Sequence, residues 1–117
     1  MTNKPNYTIF KNTIYALNGL VDMLKTETSF KVELAFMLIL VPVLFFIDVS
    51  MTQKLLMFIT LMGVLIAETI NSAIERVVDL VTLEHHPMAG RAKDVGSTIV
   101  FLSIGVLVVV WGIILIK

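Results

Sequence analysis

The sequence predicts an all-α integral membrane protein, an N-terminal amphipathic surface helix followed by three transmembrane helices. Three observations carry this. Of 117 residues, 57% are hydrophobic and only 15% charged, whereas a soluble domain carries about 25% charged residues; so short a chain cannot hide that much apolar surface in its own core. Near the N-terminus apolar residues recur at spacings of three and four. Beyond residue 30 come three apolar runs separated by short polar segments.

Residues 6–25 form the surface helix. Tyr7, Phe10, Ile14, Leu17, Val21 and Leu24 share one stripe, and Lys11, Asn12, Asn18, Asp22 and Lys25 occupy the rest. Such a helix, directly before a membrane span, lies in the interface with its apolar side down; the alternative is packing on protein, for instance a neighbouring subunit. The first membrane helix covers 30–47 and contains Pro42, a potential kink that neighbouring helices tolerate in lipid. Asp48, Ser50, Thr52, Gln53 and Lys54 read as a short loop. The second helix, 55–83, is apolar through Ala67 and then turns polar without a Gly or Pro to stop it, so it extends into the cytoplasm. The turn is assigned to HHPMAG, 85–90, and the third membrane helix to 98–116, with Trp111 as an interface anchor. All of this makes one membrane domain, 1–117, and no cleaved signal peptide is visible.

Nine basic and nine acidic side chains give zero formal charge, so there is no basic excess to suggest nucleic acid. The absence of cysteine excludes disulfides, thiolate catalysis and cysteine metal sites. Lys4, Lys11, Lys25, Lys31, Arg76, Arg91 and Lys93 fall on one side of the predicted membrane, and only Lys54 and Lys117 on the other. The positive-inside rule therefore places the N-terminus in the cytoplasm and the C-terminus outside.

The chemistry concentrates on the second membrane helix. From Leu55, Glu68 lies about 20 Å along the axis, inside the cytoplasmic third of a hydrocarbon core about 30 Å thick. An acid in the bilayer is a functional suspect, because inserting one at the centre costs on the order of 3 kcal/mol. At 100° per residue Glu68, Asn71, Ser72, Glu75 and Asp79 share about a third of the helix circumference. Hard oxygens so arranged suit Mg²⁺; the alternative is a polar seam between helices. Glu27 and Glu33 flank the start of the first membrane helix, where either completes a metal site with Glu75 or is a solvated helix-end charge. Arg91, Lys93 and Asp94 gather before the third span, suited to topology and head-group contact or, beside an acidic metal face, to holding phosphate. His85 and His86 are turn residues, with His86 a phosphate or ribose contact. No Walker A sequence, kinase glycine loop or nucleophile elbow is present.

At Glu68-x-x-Asn71-Ser72-Ala73-Ile74-Glu75, Val77-Val78-Asp79, Glu84-x-His86 and Gly90-Arg91-Ala92-Lys93-Asp94-x-Gly96-Ser97, the chain resembles the prokaryotic diacylglycerol kinase family. The resemblance runs from about residue 7 to the end and includes Tyr15, Gly19-Leu20, Glu27, Phe30 and Glu33. It implies a homotrimer in a bacterial inner membrane, with active sites shared between subunits, that uses ATP and Mg²⁺ to phosphorylate diacylglycerol to phosphatidic acid. Carried over, Glu68 is similar to the catalytic base, Glu27 and Glu75 to the metal pair, and Asn71 to a polar neighbour of the site. Tyr15, Glu84, His86, Lys93 and Asp94 resemble nucleotide contacts; Ser72, Asp79, Glu33 and Ser97 lie in or beside these motifs. One departure is Thr8, where family members often carry an arginine; its phosphate and lipid contact is absent or supplied by Lys4 or Lys11. Phosphoryl transfer needs charge neutralisation and alignment more than covalent chemistry, so a metal, a lysine and a base suffice. Undecaprenol, the substrate of another branch of the family, is the alternative acceptor. A small oligomeric proton or cation transporter is the alternative of a different class, and it would place its acids near the bilayer midplane.

Overall fold

The computed structural model describes residues 8–116, and these form four α-helices in chain order: α1 (Ile9–Thr26), α2 (Thr28–Leu44), α3 (Met51–Val81) and α4 (Pro87–Ile116). Tyr7 of the apolar stripe and Lys4, a candidate replacement for the arginine at Thr8, lie outside the described residues. Thr8 itself is the N-cap of α1, and its hydroxyl accepts the Lys11 N–H at 3.1 Å. That is a capping role an arginine does not fill.

The stripe is not covered by the rest of the chain: Phe10, Ile14, Leu17 and Val21 are all exposed, and only Met23 of α1 is buried. α1 and α2 meet at one residue, Glu27, which is extended (φ −110°, ψ 105°) and serves as C-cap of the first and N-cap of the second. Pro42 falls in the last turn of α2 and produces no mid-helix break. There the Phe45 and Phe46 N–H groups bond the Pro42 and Val43 carbonyls at 3.1 and 3.0 Å, i→i+3 bonds that tighten the turn as the helix ends.

α3 begins earlier than its apolar run. Ser50 and Gln53 form a reciprocal capping box, each side chain accepting the other's backbone N–H, so Met51–Lys54 are the first turn of the helix, where a loop was expected. The α3–α4 connection is shorter than HHPMAG implies. Pro87 opens α4, its fixed φ suiting the first helical position, and His86 Nδ1 accepts the Met88 N–H at 3.0 Å as a cap. The segment Gly90–Ser97 is therefore helical, and α4 is one 30-residue rod.

Two of the described helices, α3 and α4, are long and apolar enough to cross a membrane, their best windows having mean hydropathy 1.8 and 3.1. At about 1.5 Å per residue each exceeds a ~30 Å core by roughly ten residues. For α4 the charged part, Arg91–Asp94, precedes the apolar run that starts at residue 98 and is the part that projects. α2 has 17 residues, short of the ~20 that cross a bilayer.

The core is a strip of Met23, Phe30, Met37, Leu44, Met57, Leu61, Leu65 and Ile114. The most extensive packing is α3 on α4, followed by α2 on α3. Trp111, expected as an interface anchor, has a partner on α3. Its indole Nε1 donates to Thr60 Oγ1 at 3.0 Å and to the Met57 carbonyl at 3.3 Å, and the Thr60 hydroxyl donates to that same carbonyl at 2.8 Å. An indole inside an apolar seam needs such a partner.

Candidate active site

The polar side chains of α3 share one arc of the helix but meet three different neighbouring helices. Glu68 lies beside Glu33 of α2. Glu33 Oε1 is buried with no hydrogen-bond partner.

One turn on, Asn71 packs against α4. A Cβ at Gly96 would stand 2.3 Å from Asn71 Oδ1 and 3.6 Å from Ile74 Cδ1, so the missing side chain of Gly96 is what gives the amide its place. That Oδ1 is buried and unpartnered, as is the hydroxyl of Ser72, 5% exposed. Ser72 turns the other way, towards α1, into a cavity of about 440 Å³ lined by Gly19, Leu20, Met23, Thr69 and Ala73, with Arg76 among its walls.

Towards the C-terminal end of α3 Asp79 binds Lys93 Nζ at 2.7 Å. The hydrogen bond and charge of Asp79, with a further contribution from Glu75, hold the Lys93 ammonium above its ordinary range. Lys93 and Asp79 border a small polar cavity of about 230 Å³, which they share with Glu84, His86 and Gly90. Three of the five expected nucleotide contacts, Glu84, His86 and Lys93, thus lie together. The other two do not line that cavity: Asp94 is exposed on the adjoining turn of α4, its backbone carbonyl accepting the Thr98 hydroxyl at 3.1 Å, and Tyr15 is half-buried on α1. Ser97 is exposed on α4.

Glu27 and Glu75 have different partners. Glu27 Oε2 accepts from Arg76 Nη2 at 3.2 Å, whereas the charge of Glu75 acts on Lys93. Among the described residues no three His, Asp or Glu side chains gather as a ready-made cage. Mg²⁺ does not need one: it is commonly held by one or two carboxylates together with substrate phosphates and water. Glu27, Glu75 and the unpartnered oxygens of Glu33, Asn71 and Ser72 are hard oxygens of the type such a cation takes, but no three of the described acids come together.

Sequence reasoning counted Arg76 only for topology and Gly96 only within a motif. Arg76 binds Asp22, Thr26 Oγ1 (2.9 Å) and Glu27. A lone base after a run of acids, opposite Asp22 and Thr26 one turn apart, was the available signal. The role of Gly96 depends on which α4 residue faces Asn71, which only the packing reveals.

A third cavity, about 650 Å³ and almost wholly apolar, lies between α2 and α3 along Leu34, Met37, Val41, Phe58, Met62 and Leu65; it reaches Leu20, Phe30 and Thr69, which also line the Ser72 cavity.

Comparison with known proteins completes the picture. The description "Prokaryotic diacylglycerol kinase" matches residues 14–115. The diacylglycerol kinase of Haemophilus influenzae is 39% identical over 89% of this chain and 88% of its own length, and that of Pseudomonas aeruginosa 39% over 92% and 87%. The undecaprenol kinase of Bacillus subtilis is 32% identical over 85% of this chain and 82% of its own. With nearly the whole length matched, the chain belongs to the prokaryotic diacylglycerol kinase family, a family of membrane enzymes that are kinases.

Proposed function

We propose that the chain transfers the γ-phosphoryl group of ATP to the primary hydroxyl of diacylglycerol, giving phosphatidic acid and ADP, at the cytoplasmic edge of a bacterial inner membrane. The observation that carries this is the line of polar groups along α3: a carboxyl pair at its lipid-buried end, Glu33–Glu68, and a lysine beside a polar cavity at its outer end, Lys93. A lipid hydroxyl approaches from the first and a nucleotide from the second.

In this reading Glu68 takes the proton of the attacking hydroxyl, with Glu33 beside it. The hydroxyl oxygen forms the new P–O bond as the bond from the γ-phosphorus to the β-phosphate oxygen breaks. Asn71, propped by Gly96, presents an amide oxygen between base and nucleotide. Lys93 neutralises phosphate charge, with Asp79 orienting its ammonium; Glu84, His86, Asp94 and Tyr15 make the remaining nucleotide contacts. Glu27 and Glu75 would hold Mg²⁺, whose charge would offset that of the phosphates. The acyl chains occupy the 650 Å³ and 440 Å³ cavities, sizes in the range of ligand pockets.

The polar cavity, about 230 Å³, is below the ~300 Å³ from which ligand pockets begin, and Glu27 and Glu75 have separate partners. Both facts suit a site completed by a neighbouring subunit; we propose the homotrimer that the family resemblance implies, with α2 as a third span, α1 in the interface and, from the distribution of basic residues, the N-terminus inside and the C-terminus outside.

Undecaprenol is the competing acceptor, supported by the match to the Bacillus enzyme. Transfer of labelled γ-phosphate from ATP in micelles holding either lipid, with the product identified by chromatography, tests the assignment. Labelled phosphatidic acid supports it, and label in undecaprenyl phosphate alone replaces it.

A further inference from the structure

Nothing local orients the Glu27 carboxylate. The residue is the whole joint between α1 and α2, its backbone is extended, and its side chain makes no cap bond to α2. Its partner comes from α3, 49 residues away, and that partner also gathers the end of α1. Arg76 binds Asp22 through Nη1, and through Nη2 it binds Thr26 Oγ1 at 2.9 Å and Glu27 Oε2 at 3.2 Å, with Met23 Sδ at 3.8 Å. The Thr26 hydroxyl donates to the Asp22 carbonyl at 2.8 Å, which leaves its oxygen free to accept from the guanidinium. Asp22 and Thr26 are one turn apart and Glu27 follows directly, so the last turn of α1 closes around one planar donor. Beneath that turn the 440 Å³ cavity separates α1 from Thr69, Ser72 and Ala73, and the guanidinium bridges the gap.

We propose that Arg76 is a positioning residue for Glu27: its fork docks the last turn of α1 on α3 and fixes one oxygen of the Glu27 carboxylate, turning the other towards a phosphate-bound divalent cation. This rests on the reading of Glu27 as a metal ligand. Charge allows it, since Asp22 and Glu27 against one guanidinium leave a net negative joint. The geometry calls for arginine in particular, because a lysine ammonium is a point charge with no planar fork.

The test uses the full chain in micelles with three variants, Arg76→Ala, Arg76→Lys and Glu27→Gln. Amide hydrogen exchange is followed across residues 9–26, and Mn²⁺ binding by electron paramagnetic resonance in the presence of a non-hydrolysable ATP analogue. Loss of a group that orients a ligand commonly costs ~10- to 100-fold in metal affinity. Arg76→Ala is expected to speed exchange in the last two turns of α1 and weaken Mn²⁺ binding by at least ~10-fold, with Arg76→Lys recovering part of each. The KM for lipid stays unchanged while the Mg²⁺ concentration for half-maximal rate rises in step. Faster exchange with unchanged Mn²⁺ affinity makes Arg76 a structural clamp only and overturns the proposal, as does tighter Mn²⁺ binding, which makes it a competitor. If Glu27→Gln binds Mn²⁺ like the wild type, the ligand reading of Glu27 fails and takes the proposal with it. If Glu27→Gln weakens binding and Arg76→Ala does not, the proposal alone fails.

Discussion

Replacing Gly96 by alanine adds one methyl group at the α3–α4 seam and aims it at Asn71. The new Cβ would lie 2.3 Å from Oδ1 and 3.4 Å from Cγ of that residue; an ordinary contact needs the oxygen to retreat by about 1 Å. The atom in the way is the end of a side chain, so the backbone need not move. Twisting the amide off its rotamer costs about 0.5–1.5 kcal/mol. Alanine in place of glycine inside a helix returns up to about 1 kcal/mol. The two nearly cancel, so thermal stability should change by little. Activity should not be spared, because a 1 Å misplacement of a positioning group costs on the order of 10²-fold. The assay is phosphate transfer at saturating ATP and lipid, beside a thermal unfolding curve, for Gly96→Ala, Asn71→Ala and the double variant. The rate should fall about 10- to 100-fold in Gly96→Ala, and the double variant should be no slower than Asn71→Ala, because the methyl acts only through the amide. A Gly96→Ala enzyme as fast as wild type refutes the reasoning, and so does a double variant whose losses multiply.

Asp79→Asn should return Lys93 towards the ordinary 10.5, seen as a lower midpoint in a carbon NMR titration of the Lys93 ε-methylene; an unmoved midpoint denies the pair a role in solution. Because the folded value is raised, the stabilisation is fully present below 10.5 and is lost only as pH rises through the raised value. The pair therefore contributes no pH dependence between about pH 7 and 9. Thr60→Val should shift the indole N–H resonance of Trp111, the sole tryptophan, and destabilise the α3–α4 seam by about 0.6 kcal/mol, with Thr60→Ser close to wild type. An unshifted resonance in Thr60→Val would show that the indole does not donate to this hydroxyl.

The helical content and the acids of the membrane edge were legible because they are periodic and compositional: the stripe Phe10–Leu24, the runs before Glu68 and after Ser97, and the series Glu68, Asn71, Glu75, Asp79. Two boundaries were misplaced for one reason. At Ser50–Gln53 and at His86–Met88 a side chain caps a helix, and a polar segment that looked like a loop became a first turn. What the sequence did not carry was the partner of each polar group. Glu27 against Arg76, Asn71 over Gly96 and Trp111 on Thr60 each join residues 25–51 positions apart, and only the register of packed helices sets such pairs. The same holds within one helix face: Ser72 faces α1, while Asn71 and Asp79 face α4.

The most direct measurement is the rate of phosphate transfer from ATP to diacylglycerol by purified wild type and Glu68→Gln in the same micelles. An amide at 68 accepts no proton from the lipid hydroxyl, and general-base catalysis is worth about 10²- to 10⁴-fold. The account predicts labelled phosphatidic acid from the wild type and a loss of that order in the variant, with ATP KM little changed. A Glu68→Gln enzyme that phosphorylates diacylglycerol at the wild-type rate contradicts the role of the α3 carboxylate, and a wild type that labels no diacylglycerol contradicts the substrate.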